Sequence, residues 1–219
     1  MMLLSKKLRL ISFLMGFLIL FVSCNQFDNG IIDKGINAEK TFAIEKYVEK
    51  QIELSTKLFK LIEKENINDL YLLDNVKDYD YKDLKNVLKD ANIKEYNAIS
   101  NLLKDIDNTN LNFIENNLDF KKYEKIYLEN LIVTEIDNQL DNITESHYLK
   151  NMNMNPCQQA RHTGILRCLR NFTIGVAASA TSGFFTFGIG AAIGAIATLG
   201  MFTLCMSDVH SDYDICVNH

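Results

Sequence analysis

Two cysteine pairs near the C-terminal end constrain this chain more than any other feature. CQQARHTGILRC at 157–168 and CMSDVHSDYDIC at 205–216 each place two cysteines eleven positions apart, and residues 171–207 between and around them carry no charged side chain. Eleven residues of α-helix turn through about 1100°, three turns plus 20°, so the two cysteines of a pair share one face about 16 Å apart. A disulfide needs Cα atoms less than about 7 Å apart, so neither helix can link its own pair. If both segments are helices and run antiparallel, Cys157 meets Cys216 and Cys168 meets Cys205 at equal axial separation. A parallel pairing forces the connector back along the full length of the pair. In the antiparallel register opposing residue numbers sum to 373, which sets Arg161 against Asp212 as an expected ion pair. Asn155 followed by Pro156 reads as an N-cap and a first-turn proline, starting the first helix just before Cys157. Closing the loop from Cys168 to Cys205 restricts the unfolded chain by about 4 kcal/mol in the entropy model.

The charge-free insert is long enough to cross a bilayer once, but a single crossing would leave Cys168 and Cys205 on opposite sides. A hairpin satisfies both constraints: one helix to about Ser182, a turn near Gly183 to Gly188, and a second helix leading into Cys205. Small residues recur every four positions, as Gly175, Ser179 and Gly183 in the first arm and Gly190, Gly194 and Thr198 in the second, with Gly200 beyond. Such rows let two backbones approach closely. Glycine costs up to about 1 kcal/mol per helix position relative to alanine in water, so the glycines point to close packing, in a core or in a membrane.

The other end of the chain explains the odd cysteine count of five. MMLLSKKLRLISFLMGFLILFVSC has a basic start, an apolar run from Leu10 to Val22 and then Cys24, which is export-signal architecture and short for a membrane span. FVSC resembles the lipobox of bacterial lipoproteins, with Phe21 in place of the usual Leu. The resemblance covers residues 1–24 only and implies removal of 1–23 and acylation of Cys24, with the protein lipid-anchored in the bacterial cell envelope, at the outer membrane or cell surface. Several acyl chains hold a membrane stably where one does not. Four cysteines then remain, and an exported protein normally oxidises an even set.

Residues 24–36 read as the anchor and a short tether, NQFDNGIIDKGI being rich in turn-forming residues. From Ile36 to Asn155 there is no Gly or Pro, where ordinary usage would supply about fourteen. Apolar residues three and four apart (Ile44, Tyr47, Val48, Ile52, Phe59, Ile62) predict an amphipathic helix over 38–66. A second helix is expected at Tyr81 to Ala91. Asn92 with Glu95 three residues on reads as a capping box opening a third helix through Ile106. A fourth runs from about Phe120 to Ile143, with Leu128, Leu131, Ile132, Ile136, Leu140 and Ile143 on one side. The expected fold is all-α: an acidic helical bundle over 37–150 followed by a disulfide-clamped hairpin over 156–219.

The net charge is −5. The first nine residues contribute +3 and the last 64 balance, leaving −8 on the body, which argues against a nucleic-acid partner. The carboxylates and lysines of the body read as solvated helix faces, and its tyrosines as half-buried core or a patch for an unidentified protein partner. No nucleophile elbow, phosphate loop, zincin or dinucleotide fingerprint is present, so no catalytic residue and no cofactor is assigned. In the 373 register His162 and His210 come close to each other and to Asp208 and Asp212, types that zinc sites use; they are read here as polar surface, with no metal expected. His147 and His219 are isolated.

The clamp is similar to the twin-cysteine helical hairpins of the coiled-coil-helix family of the mitochondrial intermembrane space, whose connectors are shorter; the resemblance extends to geometry alone. Two functional expectations follow. In one, the hairpin is a buried core element of a non-enzymatic binding or structural lipoprotein. In the other, it is a membrane-active element of bacteriocin or toxin type, with Asp208, Asp212 and Asp214 gating insertion.

Overall fold

The computed structural model describes residues 36–65, 81–148, 154–185 and 194–218, and they are all-α. The elements in chain order are α1 (Ala38–Glu65), α2 (Tyr81–Asp90), α3 (Tyr96–Asn116), a short 3-10 helix (Leu118–Lys122), α4 (Lys125–Tyr148), α5 (Pro156–Phe185) and α6 (Gly194–Asn218). The described residues from 37 onward pack as one compact unit. The anchor segment with Cys24, and Gly188, Gly190, Tyr71, Tyr79 and His219, lie outside the described residues.

The apolar stripes read from the sequence are buried. Ile44, Tyr47, Val48, Ile52 and Ile62 of α1, and Leu128, Ile132, Ile136 and Leu140 of α4, face inward, whereas Ile143 is exposed. α1 and α3 run antiparallel: Tyr47 hydrogen-bonds Asn110, and at the other end the Glu65 carboxylate accepts the amides of Lys94 and Glu95. α5 runs antiparallel to α1, with Arg161 beside Glu63, and antiparallel to α4, with Thr181 bonded to Glu129 and Arg170 forked on Asp137.

α5 and α6 pack against this arrangement. Cys168, Phe172, Val176, Ala195, Ile196, Leu199, Phe202, Met206 and Val209 share one continuous apolar core with Leu54, Leu58 and Ile62 of α1, Leu84 and Leu88 of α2, and Ile99, Leu103 and Ile106 of α3. The hairpin therefore supplies a face to the bundle and completes its core. No helix among the described residues is long and apolar enough to cross a membrane.

Helix boundaries differ from expectation for identifiable reasons. Asn92 ends α2 instead of opening α3. It sits at φ 59°, its amide bonds the Lys89 carbonyl and the Ile93 amide bonds the Leu88 carbonyl. Those bonds make a Schellman turn, with Ile93 packed in the core near Leu88 as the motif favours. Glu65 from α1 instead holds the Lys94 and Glu95 amides just ahead of α3. α3 continues ten residues beyond Ile106 because Asn110, Phe113 and Ile114 extend its buried face. α4 starts at Lys125 because residues 118–122 form the 3-10 turn that buries Phe120. α5 runs through Gly183 to Phe185, beyond the expected end at Ser182, since Gly183 and Phe184 are buried within the helix.

Candidate functional site

α5 begins as the Asn155–Pro156 pair requires. The Asn155 side chain accepts the Gln158 amide at 2.9 Å while Gln158 returns a bond to the Asn155 amide at 3.1 Å, a reciprocal cap with Pro156 at the first helical position. From there the clamp follows the 373 register. Disulfides join Cys157 to Cys216 and Cys168 to Cys205, each with Cα atoms 5.7 Å apart. The register holds at two glycines as well. A Cβ placed on Gly164 would lie 2.7 Å from Val209 Cγ2, and one on Gly175 would lie 2.6 Å from Thr198 Cγ2. Positions 157, 164, 168 and 175 thus oppose 216, 209, 205 and 198, spaced seven, four and seven as a packed helix seam repeats. The two rungs differ in setting: Cys168 is in the core, whereas Cys216 is exposed.

The expected Arg161–Asp212 pair does not form. Arg161 reaches across to Glu63 at 2.6 Å and lies over the Tyr213 ring at 5.4 Å. The register is right, but the end of α1 brings the Glu63 carboxylate beside Arg161. Among the described residues no group of three His, Cys, Asp or Glu side chains is arranged to hold a metal ion.

A polar row crosses the interior beside the clamp. Asn110 on α3 is its hub and uses all four of its hydrogen-bonding positions. Its Oδ1 accepts from Tyr47 Oη at 2.8 Å and Gln51 Nε2 at 2.6 Å; its Nδ2 donates to Ser179 Oγ at 3.1 Å and to the Val176 carbonyl at 3.4 Å. The hub ties α1, α3 and α5 together at one level. Gln51 Oε1 and Ser55 Oγ, buried next to it, have no hydrogen-bond partner among the described residues. Burial pushes the Tyr47 phenol far above its ordinary value, so it acts here as a neutral donor.

One helical turn away, Asp107 is 3% exposed. One of its oxygens accepts the Ala195 amide at 3.2 Å, in the first turn of α6; the other accepts the Tyr81 hydroxyl of α2, which also reaches the Leu103 carbonyl. Burial raises the Asp107 carboxyl from 3.8 to about 6, against the opposing effect of the Tyr81 and Ala195 bonds. Asp107 thus departs from the solvated-face reading of the body's carboxylates. It caps α6 from inside, at the favourable end of the helix dipole.

Sequence reasoning missed Asn110, Gln51, Asp107 and Glu65. A signal for two of them was present: Leu103, Asp107, Asn110 and Ile114 are spaced four, three and four, so two polar residues interrupt an apolar stripe. The tyrosines divide as well. Tyr47 is buried, while Tyr81, Tyr96, Tyr123 and Tyr127 are half-buried. These interior groups are carboxamides, hydroxyls and one acid, and through Tyr47, Gln51, Tyr81, Asp107 and Asn110 they tie neighbouring helices together.

No family model, curated protein or solved structure matches this chain.

Proposed function

We propose that this chain is a lipid-anchored bacterial envelope protein with a non-enzymatic binding or structural role. The observation that carries the reading is the clamp. Two stacked disulfides, one of them at the solvent-exposed end of the hairpin, suit an oxidising compartment outside the cytoplasm. Export is what the N-terminal segment encodes, and acylation of Cys24 leaves the four paired cysteines as an even set.

The sharing of one core between hairpin and bundle supports this reading over that of a membrane-active effector. Inserting α5 and α6 into a bilayer would strip the inner faces of α1, α2 and α3 and expose the Asn110 hub. A binding role is supported by the outer face of α6, where Met201, Leu204 and Ile215 are exposed together with Asp208 and Ser211 at spacings of three and four.

Mass analysis of the protein from cells tests the reading. The mature N-terminus is expected at Cys24 carrying diacylglycerol, and Cys24→Ser is expected to accumulate the uncleaved precursor. A mature N-terminus elsewhere, without lipid, contradicts it.

A further inference from the structure

The end of the bundle where α1 begins has a surface unlike the rest. Lys40, in the first turn of α1, pairs with Asp119 at 2.5 Å and bonds the Tyr123 hydroxyl at 3.2 Å, so the start of α1, the 3-10 helix and the start of α4 are pinned together. Phe120 packs on Phe184 at 5.8 Å and on Phe113 at 5.6 Å between ring centroids, within the spacing of aromatic pairs. That contact brings the C-terminal end of α5 to the same level. Inside, this end is sealed by Phe113, Phe120, Tyr123 and Phe184.

Outside, large apolar side chains of the same elements are exposed. Phe42 is 58% exposed, Leu118 56%, Ile126 64% and Phe185 40%. Four such side chains, contributed by α1, the 3-10 helix, α4 and α5 to one end, are not explained by core packing. Residues 38–42 and 118–126 hold Lys40, Lys121, Lys122 and Lys125 against Glu39, Asp119 and Glu124, with Lys40 paired to Asp119 and Lys125 to Glu129. The charge at this end is thus close to balanced in a body that is strongly acidic, and an apolar tip without net negative charge suits an interfacial bilayer surface, where rings and aliphatic chains enter the headgroup boundary.

The chain preceding α1 says which end would meet the membrane. The described helices begin at Ala38, and the thirteen residues from 25 to 37 separate that point from Cys24. Thirteen residues reach at most about 45 Å in any conformation, so an acylated Cys24 would keep the α1 end at high local concentration next to lipid and weak apolar contacts would suffice to dock it.

We infer that the bundle end bearing Phe42, Leu118, Ile126 and Phe185 docks on the lipid bilayer, so that the protein stands on its membrane in one orientation with the Cys157–Cys216 rung pointing away. This rests on the lipid-anchor reading and adds an interaction surface to it. The orientation leaves the outer face of α6 toward its C-terminal end accessible to a partner.

The chain has no tryptophan, so single substitutions give reporters without background. Lipidated full-length protein carrying Phe42→Trp, Leu118→Trp, Ile126→Trp, Phe185→Trp or, at the opposite end, Ile215→Trp is reconstituted in phosphatidylcholine–phosphatidylglycerol vesicles. All five sites are exposed, so the core is left intact; far-UV CD and the two disulfides verify folding. Lipids brominated near the headgroup are expected to quench the four Trp at the docking end and to leave Ile215→Trp unquenched. Phe42→Asp with Ile126→Asp is expected to relieve quenching at Phe185→Trp while the vesicles still float with bound protein. Protein that floats but shows no quenching, or equal quenching at both ends, overturns the docking surface and leaves the anchor standing. Protein that does not float overturns the anchor and the docking together.

Discussion

Gly175→Ala separates close packing from helix propensity by the sign of its effect. Alanine is favoured over glycine within a helix by up to about 1 kcal/mol. At Gly175, however, the new methyl would sit 2.6 Å from Thr198 Cγ2, about 1 Å inside van der Waals contact. Thr198 is buried, β-branched and bonded to the Ala195 carbonyl, so its methyl has little freedom to move. The rungs hold α5 and α6 in place beside it. Overpacking of this kind costs about 1–3 kcal/mol, so the net effect is a loss of about 0–2 kcal/mol. At Gly200 nothing lies within 4 Å of the added methyl, and Gly200→Ala gains the propensity term alone. Urea denaturation of the oxidised protein, followed by far-UV CD, therefore moves in opposite directions for the two variants. Thr198→Ser removes the obstructing methyl, so the double variant with Gly175→Ala recovers most of the loss; the coupling isolates that one contact. If Gly175→Ala stabilises as much as Gly200→Ala, the seam is not packed backbone to side chain at this position and the register argument fails there.

Three further perturbations probe the interior and the clamp. Asn110→Ala strands the Tyr47 hydroxyl in the core, leaves the Gln51 amide with only its bond to the Ile106 carbonyl and removes two bonds to α5, and a loss of about 2–4 kcal/mol in chemical denaturation is expected; a loss within error contradicts the hub role. Replacing Cys168 and Cys205 together by alanine is expected to cost about 4 kcal/mol, the loop entropy of a 37-residue separation, with the helical CD spectrum retained at low denaturant. For Asp107, burial raises the folded carboxyl to about 6 from 3.8. The folded protein then holds a proton that the unfolded chain releases between those values, so this group favours the fold at low pH and disfavours it progressively as pH rises through about 6. The full difference is about 3 kcal/mol at most. Stability of the native protein relative to Asp107→Asn is expected to fall between pH 4 and 7, and parallel pH profiles of the two proteins would contradict the assignment.

The hairpin was legible because its information is arithmetic. Two equal cysteine spacings, the reach of a disulfide and the pitch of a helix leave one simple pairing, and Gly164 and Gly175 then fall on the same seam. The stripes of 44–62 and 128–140 were legible because burial repeats with helical period. What failed depended on partners distant in sequence. Arg161 chose Glu63 over Asp212 because α1 ends beside it, a proximity no local pattern encodes. Asn92 satisfies the spacing of a capping box, but Leu88 and Ile93 needed to meet in the core, so it closed the helix before it instead. Asp107 looked like one more solvated acid until α2 and α6 enclosed it.

The central claim is that α5 and α6 lie head to foot, fixed by two rungs, and complete the core of the bundle. Peptide mapping by mass spectrometry of unreduced protein isolated from its native cells tests it most directly. The account predicts the cross-linked pairs 157–216 and 168–205 and no others, with Cys24 absent from any disulfide. Linkage of 157 to 168 or of 205 to 216, or free thiols at these four positions, would contradict it.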